Sequence, residues 1–321
     1  MHFTTALSAL TLVAAALAAP LTERSVTALS SSQLAGFAPF TQFARAAYCP
    51  SSKVKNWGCG EACKALPGFQ PTLTGGDGNA VQLFFVGYWP QQNSVVVAHQ
   101  GTDPTALMSD LTDLNFFLTD LDNKLFPGVS DAVQVHNGFG AEHAKTATTI
   151  LAETKRIIAA NGATQVMLIG HSLGGALAEL DSLFMALNLP SSIHVKAVTY
   201  GTPRVGNPQF AALLDSKVCR HLFSLAGPVA HRGICAKVPD FVRINNEADL
   251  VPIVPGRFLG FQHPHGEIHI LSPGNAVACS GDDNADDSKC TIKTVPNILE
   301  GDIINHLGPY EGIFIGTIFC N

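Results

Sequence analysis

Charge is scarce in this 321-residue chain: lysine, arginine, aspartate and glutamate together make up 14% of it. With 46% apolar residues beside so little charge, the chain can build a large core, which excludes a disordered polypeptide. Positive charge is the scarcer sign, 19 basic residues against 25 acidic, for a net charge of −6. No basic cluster appears, so the electrostatic footprint of a nucleic-acid binder is missing and no such partner is expected. The chain has no Asn-x-Ser/Thr sequon, so N-glycosylation is not expected. After residue 19 no apolar run is long enough to cross a bilayer, and no transmembrane segment is expected in the mature chain. There is no internal repeat and no linker, so one α/β domain is the better reading of a length that also admits two smaller ones. Recognised metal patterns are absent too. Asp282, Asp283, Asn284, Asp286 and Asp287 lack the glycine and distal glutamate of an EF-hand loop and read as a solvated acidic loop. His263, His265 and His269 lack the cysteine or carboxylate that would complete a zinc set. Neither metal nor cofactor is expected.

What is present begins with an apolar, small-residue run from Ala6 to Ala19, with Ala16-Leu17-Ala18 as an A-x-A cleavage site. This reads as a secretory signal peptide over residues 1–19, ahead of a single domain over 20–321. Its charged leader is weak, and the run is short for a membrane anchor, the rival reading. Eight cysteines suit an oxidising, extracellular compartment. Cys59 with Cys63 and Cys279 with Cys290 are natural local pairs, and Cys49 with Cys320 would staple the two ends of the domain.

Apolar periodicity predicts a helix over Gln33–Tyr48, strands over Val81–Tyr88 and Ser94–His99 joined by turn residues Pro90–Asn93, and a long helix over Gly138–Asn161 ended by Asn161-Gly162. A buried strand over Val166–Ile169, a helix over Leu173–Leu187, and strands over Lys196–Tyr200 and Phe241–Asn245 follow. Strands alternating with helices imply an α/β fold: a mainly parallel sheet with helices on both faces.

The most informative stretch is Val166 to Ala178. An apolar, β-prone run feeds Gly170-His171-Ser172-Leu173-Gly174, and an alanine- and leucine-rich helical pattern leaves it. That is the strand, sharp turn and helix of a nucleophile elbow, with Ser172 at its tip. Side chains at positions 170 and 174 would collide with the neighbouring strand and helix. His136 and His171 read as structural. A serine hydroxyl is a poor nucleophile unless a histidine takes its proton and a carboxylate orients that histidine. In the chain order of α/β-hydrolases both partners follow the serine. Candidate bases are His194, His221, His231, His263, His265, His269 and His306; candidate acids are Asp215, Asp240, Glu247, Asp249, Glu267 and Asp302. Asp249 follows a strand end and precedes a proline-broken loop, where such sites are built, and His306 interrupts an apolar run near the end of the domain. Spacing alone leaves the choice open.

Several segments together carry a family resemblance. They are Ala46-Ala47-Tyr48-Cys49, Val97-Ala98-His99-Gln100-Gly101-Thr102, Val135-His136-Asn137-Gly138-Phe139, the elbow, Thr199 to Asn207, the Asp249 loop, His265-Gly266-Glu267 and His306-Leu307-Gly308-Pro309-Tyr310. In this order, over nearly the whole mature chain, they resemble the class 3 lipases, a filamentous-fungal family that includes triacylglycerol lipases and feruloyl esterases. The resemblance implies an α/β-hydrolase fold with Ser172 as nucleophile, Asp249 as orienting acid and His306 as base. It implies oxyanion donors from the backbone N–H of Leu173 and from Thr102, through its N–H and its hydroxyl. It also makes Thr105, Ala106, Leu107, Met108, Ser109, Asp110 and Leu111 a lid, a short amphipathic helix with Ala106, Leu107 and Leu111 near one face. When closed it hides an apolar face over the serine; when open it meets the lipid–water interface, and Asp110 supports the Thr102 hydroxyl. The apolar lid and Leu114–Leu118 favour long acyl esters. The expected activity is thus a secreted, cofactor-free triacylglycerol lipase. A feruloyl or other soluble-ester esterase is the first alternative, and an inactive lipid-binding relative the second.

One segment departs from the family. The resemblance fades after Asp215-Ser216-Lys217 and resumes at Val238-Pro239-Asp240-Phe241. Residues 218–237 are either a surface loop closed by Cys219–Cys235 or a retained intron translated into protein. Val-Cys can be encoded by a common fungal 5′ splice sequence, and Ala-Lys can end in AG. Removing the segment leaves six of the eight cysteines, which match the three pairs above.

Overall fold

The computed structural model describes residues 26–103, 117–218, 240–283 and 287–320. The signal peptide (1–19), the lid (105–111) and residues 219–237 of the insertion, with Cys219 and Cys235, lie outside the described residues.

Among the described residues the strands are β1 (Thr27–Ala28), β2 (Gln70–Gly75), β3 (Phe84–Trp89), β4 (Ser94–His99), β5 (Leu118–Asp120), β6 (Gln134–His136), β7 (Gln165–His171), β8 (His194–Tyr200), β9 (Phe241–Asn246), β10 (Glu267–Ser272) and β11 (Asn275–Ala278). Nine of them form one sheet in the order β1-β11-β10-β9-β8-β7-β4-β3-β2, and β5 pairs with β6. The centre, β4-β7-β8-β9-β10, is parallel throughout. Both flanks are antiparallel. The reason is connection length: β3 turns into β4 through Pro90–Gln92 and a left-handed Asn93, and β10 turns into β11 through Gly274, which leaves no room for a crossover. The strand expected from Val81 starts only at Phe84, because Asp77 draws the preceding chain into a turn by accepting from the amides of Asn79 and Val81.

The helices are α1 (Ser31–Ala35), α2 (Ala38–Ala46), α3 (Ser51–Lys55), α4 (Glu61–Lys64), α5 (Asn137–Asn161), α6 (Leu173–Asn188), α7 (Pro208–Val218) and α8 (Thr291–Thr294). The single helix expected over Gln33–Tyr48 is two. Proline is tolerated only in a first turn, so Pro39 starts α2, and Gly36 ends α1. Helix α5 ends as its sequence demands, at a left-handed Gly162.

The central strands are apolar on both sides and still sort their residues by alternation. Val95, Val97, Val166 and Leu168 pack with Ile150 of α5 and Leu180 of α6. Val96, Ala98, Met167 and Ile169 pack with Phe43 and Ala44 of α2 on the opposite face. Helices on both faces of a sheet with a parallel centre make this the expected α/β-hydrolase fold. Among the described residues, no helix is long and apolar enough to cross a membrane.

Among the described residues, three disulfides join Cys49 to Cys320, Cys59 to Cys63 and Cys279 to Cys290. The first spans 271 residues of sequence, so it restricts the unfolded chain most. Replacing both Cys49 and Cys320 by serine is expected to cost about 2–5 kcal/mol, read as a lower guanidinium midpoint with a higher m-value, because the freed unfolded chain exposes more surface.

Candidate active site

Strand β7 ends at His171 and α6 begins at Leu173, so Ser172 alone makes the turn, at φ 59° and ψ −130°. A non-glycine residue held there stores roughly 1–3 kcal/mol of strain and persists only because its surroundings fix it. The Ser172 amide donates to the Tyr200 carbonyl at 2.9 Å, and its own carbonyl accepts from Gly175 and Ala176. A Cβ at Gly170 would lie 2.0 Å from the Gly174 carbonyl oxygen, the collision expected from the sequence.

The same close packing brings the end of β4 against the start of α6. A Cβ at Gly174 would meet the His99 carbonyl oxygen at 2.3 Å, and one at Gly101 would meet the His171 carbonyl oxygen at 2.4 Å and Ser172 Cβ at 2.8 Å. Two glycines, one on each segment, thus seat the Gly101-Thr102 backbone beside the elbow. Leu173 is the first residue of α6, so its N–H lacks an intrahelical partner and sits at the positive end of the helix dipole.

Asp249 and His306 are buried together. His306 Nδ1 lies 2.9 Å from Asp249 Oδ2, and both side chains are fully enclosed. Their loops are stitched to each other: Asn246 Nδ2 donates to the Asn305 carbonyl, the Asp302 amide donates to the Ala248 carbonyl, and Ile303 packs on Leu250 and Val251. Asp249 Oδ1 accepts from the Val251 amide. With its Nδ1 proton directed at the carboxylate, His306 presents a lone pair at Nε2, which has no hydrogen-bond partner among the described residues. A Cβ on Gly201 would fall 2.7 Å from both Asp249 Oδ2 and His306 Nδ1. The pair therefore sits over the end of β8, next to Tyr200, whose carbonyl holds Ser172.

His171 links these parts. Its Nδ1 lies 2.7 Å from Tyr48 Oη, its Nε2 lies 2.7 Å from the His306 carbonyl oxygen, and the two imidazole rings are 4.3 Å apart. A carbonyl only accepts, so the His171 proton is on Nε2 and Tyr48 donates to Nδ1. Burial, with His306 alongside, pushes the His171 pKa well below its ordinary value and keeps the ring neutral. Tyr310 Oη donates to the same His306 carbonyl at 3.1 Å. On α6, buried Asp181 accepts from His99 Nε2 and His143 Nε2 at 2.7 and 2.9 Å, tying β4 and α5 to the helix behind the elbow. Nothing local in the sequence marks Tyr48, Asp181 or Tyr310 for these contacts.

Glu179, also on α6, is fully buried with neither carboxylate oxygen hydrogen-bonded among the described residues. Burial raises its pKa from 4.5 to about 8. The folded state then holds a proton that the unfolded state releases, so this group's contribution to stability falls as pH rises between those values. Glu179→Gln is expected to flatten the dependence of Tm on pH, raising Tm at pH 8 more than at pH 5; an unchanged slope would contradict it.

The other candidates are engaged elsewhere. His194 pairs with Asp240, and His265 with Asp215. His263 donates to the Pro252 carbonyl, and His269 sits between the Lys289 and Glu247 carbonyls. Glu247 accepts from Asn305, Glu267 from the Thr291 amide, and Asp302 caps the turn that carries His306. His221 and His231 lie outside the described residues. His136 caps α5 by accepting from the Phe139 amide. One reading is corrected: the acidic loop is not solvated throughout. Asp283 is 4% exposed and paired with buried Arg204, because an arginine sealed beneath that loop requires a counter-charge.

Comparison with known proteins finds relatives of the same fold. The secreted mono- and diacylglycerol lipase MDL3 of Malassezia globosa is 32% identical over 203 residues, 63% of this chain, and the chain spans 60% of that relative's length. Lipase II from Rhizopus niveus superposes with a TM-score of 0.74 at 26% identity, covering 92% of this chain and all of that one. Lip2 lipase from Yarrowia lipolytica gives 0.73 at 25% identity, over 91% of this chain and 97% of its own. The family model described as Lipase (class 3) matches residues 96–259, a stretch that takes in Gly101-Thr102, the Ser172 elbow and the Asp249 loop, with His306 beyond it. On that match the chain belongs to the class 3 lipase family.

Proposed function

We propose that the protein is a secreted serine ester hydrolase acting on acylglycerols. The observation that carries the reading is the enclosed Asp249–His306 pair, set beside a serine held at positive φ. In this scheme Ser172 Oγ attacks the ester carbonyl while His306 Nε2 takes its proton, and Asp249 holds the ring by Nδ1 and stabilises the imidazolium. The amides of Leu173 and Thr102 receive the oxyanion. His306 then protonates the departing alcohol, and water, activated by the same histidine, cleaves the acyl-enzyme.

The substrate class is supported by relatives named as mono- and diacylglycerol lipases, and secretion by the same names together with three disulfides. Ser172 is 2% exposed and His306 fully enclosed, so substrate entry requires a cover to move. Residues 105–111 are our candidate for that cover and for contact with a lipid–water interface, on the strength of their sequence. One domain over 20–321 is favoured by a sheet that draws strands from residues 27 to 278 and by the Cys49–Cys320 link. Excising 218–237 would put Val238 directly after Lys217, replacing one valine by another at the end of α7. A tryptic peptide from the secreted protein spanning this region decides between loop and intron.

The test is the ratio of rates on emulsified long-chain acylglycerol and on soluble methyl ferulate. Faster acylglycerol hydrolysis is expected; faster ferulate hydrolysis would assign the protein to the soluble-ester esterases.

A further inference from the structure

The segment just after Asp249 is held by its carbonyls. Four in succession are engaged, and two side chains account for most of that grip. His263 Nε2 donates to the Pro252 carbonyl at 2.8 Å. Arg204 Nη1 donates to the carbonyls of Ile253 and Pro255, and the Arg204 amide donates to the Val254 carbonyl at 2.8 Å. Both residues are buried, and both meet one carboxylate: Asp283 accepts from Arg204 Nε and Nη2 and from the His263 amide. Asp283 stands between Cys279 and Cys290, which are joined by a disulfide, so a covalently closed loop delivers it. Arg257 closes the far side by donating to the Asp283 carbonyl.

This arrangement orients the guanidinium. An arginine fork can grip carbonyls with Nη1 only if its other edge is fixed, and the two-pronged pairing with Asp283 fixes it. Burial opposes ionisation of Asp283, but His263, Arg204 and Arg243 outweigh it and hold its pKa at about 2. The carboxylate is therefore charged wherever the protein is folded at ordinary pH.

We propose that Asp283 is a positioning residue for Asp249: through Arg204 and His263 it clamps residues 252–255 and so sets where the Asp249 carboxylate meets His306. The proposal rests on reading Asp249 as the orienting acid of a hydrolase. It separates two jobs within the acidic cluster. The neighbouring Asp282 carboxylate accepts from Gln262.

The test is a double-mutant cycle on the full chain with p-nitrophenyl butyrate. Asp283→Asn is expected to lower kcat about 100-fold with little change in KM, as a small misplacement of a reacting group does. In an Asp249→Asn background the same substitution is expected to cost nothing further, because the group it positions is gone. Asp283→Glu keeps the charge and is expected to recover part of the rate; if Asp283→Asn fails to fold by thermal melting, Asp283→Glu takes its place in the cycle. Asp282→Asn is expected to keep the wild-type kcat. Wild-type kcat in folded Asp283→Asn, or an equal proportional loss in both backgrounds, would overturn the clamp while leaving the hydrolase reading intact. A wild-type chain that cleaves no ester, or an Asp249→Asn chain of undiminished rate, would overturn both.

Discussion

Ser172→Ala is expected to lower kcat for ester hydrolysis by about 10⁶-fold and leave the fold in place, since no other group can take over the nucleophile's part. The turn explains why the change is so clean. Ser172 is held by its backbone, through its amide to Tyr200 and its carbonyl to Gly175 and Ala176, and alanine keeps every one of those bonds. Alanine at φ 59° also bears the same backbone strain as serine. Tm should therefore stay nearly constant while activity falls to the residue left by the oxyanion donors. An alanine variant that retains more than about one part in a thousand of the wild-type rate would place the nucleophile elsewhere.

Asp249→Asn is expected to cost about 10⁴-fold in kcat at unchanged substrate affinity. The carboxylate does two things at once: Oδ1 accepts from the Val251 amide, and Oδ2 accepts from His306 Nδ1. An asparagine can satisfy the first with its carbonyl, but its amide nitrogen then faces His306. The ring must turn to the other tautomer, with the proton on Nε2, where it cannot accept from serine. Loss of the buried charge also removes the stabilisation of the imidazolium. A variant within about tenfold of the wild-type kcat would mean that Asp249 does not face the base during turnover.

The elbow was legible in the sequence because its demands are local. The strand, the turn and the helix lie within a dozen residues, and Gly170 is required by contact with Gly174 and Gly175 inside that span, although Gly174 itself is required by β4. The parallel centre of the sheet was legible for a similar reason, since β4 and β7 carry unbroken apolar runs and β8 an apolar run interrupted by Lys196 and Thr199. The edges were not. Strand β10 carries Glu267 and His269 on the face where Arg243 and Asn245 lie in register, so its pattern reads as a polar loop until its partners are known. The choice of Asp249 and His306 among many acids and histidines came from resemblance, because 57 residues separate the pair and nothing local marks them. Asp283 shows the limit most clearly. Its neighbours in sequence are acidic and polar, and its partner Arg204 lies 79 residues away, so only the fold distinguishes a buried counter-ion from a solvated charge.

The central claim is that Ser172 is an activated nucleophile. Incubating the full chain with a fluorescent alkyl phosphonate ester, in the presence of detergent to open any cover, and mapping the adduct by peptide mass spectrometry tests it directly. One covalent label per chain is expected, on Ser172, absent from Ser172→Ala and much slowed in Asp249→Asn. A folded wild-type chain that takes up no label, or carries it on another residue, would rule out Ser172 as the activated nucleophile.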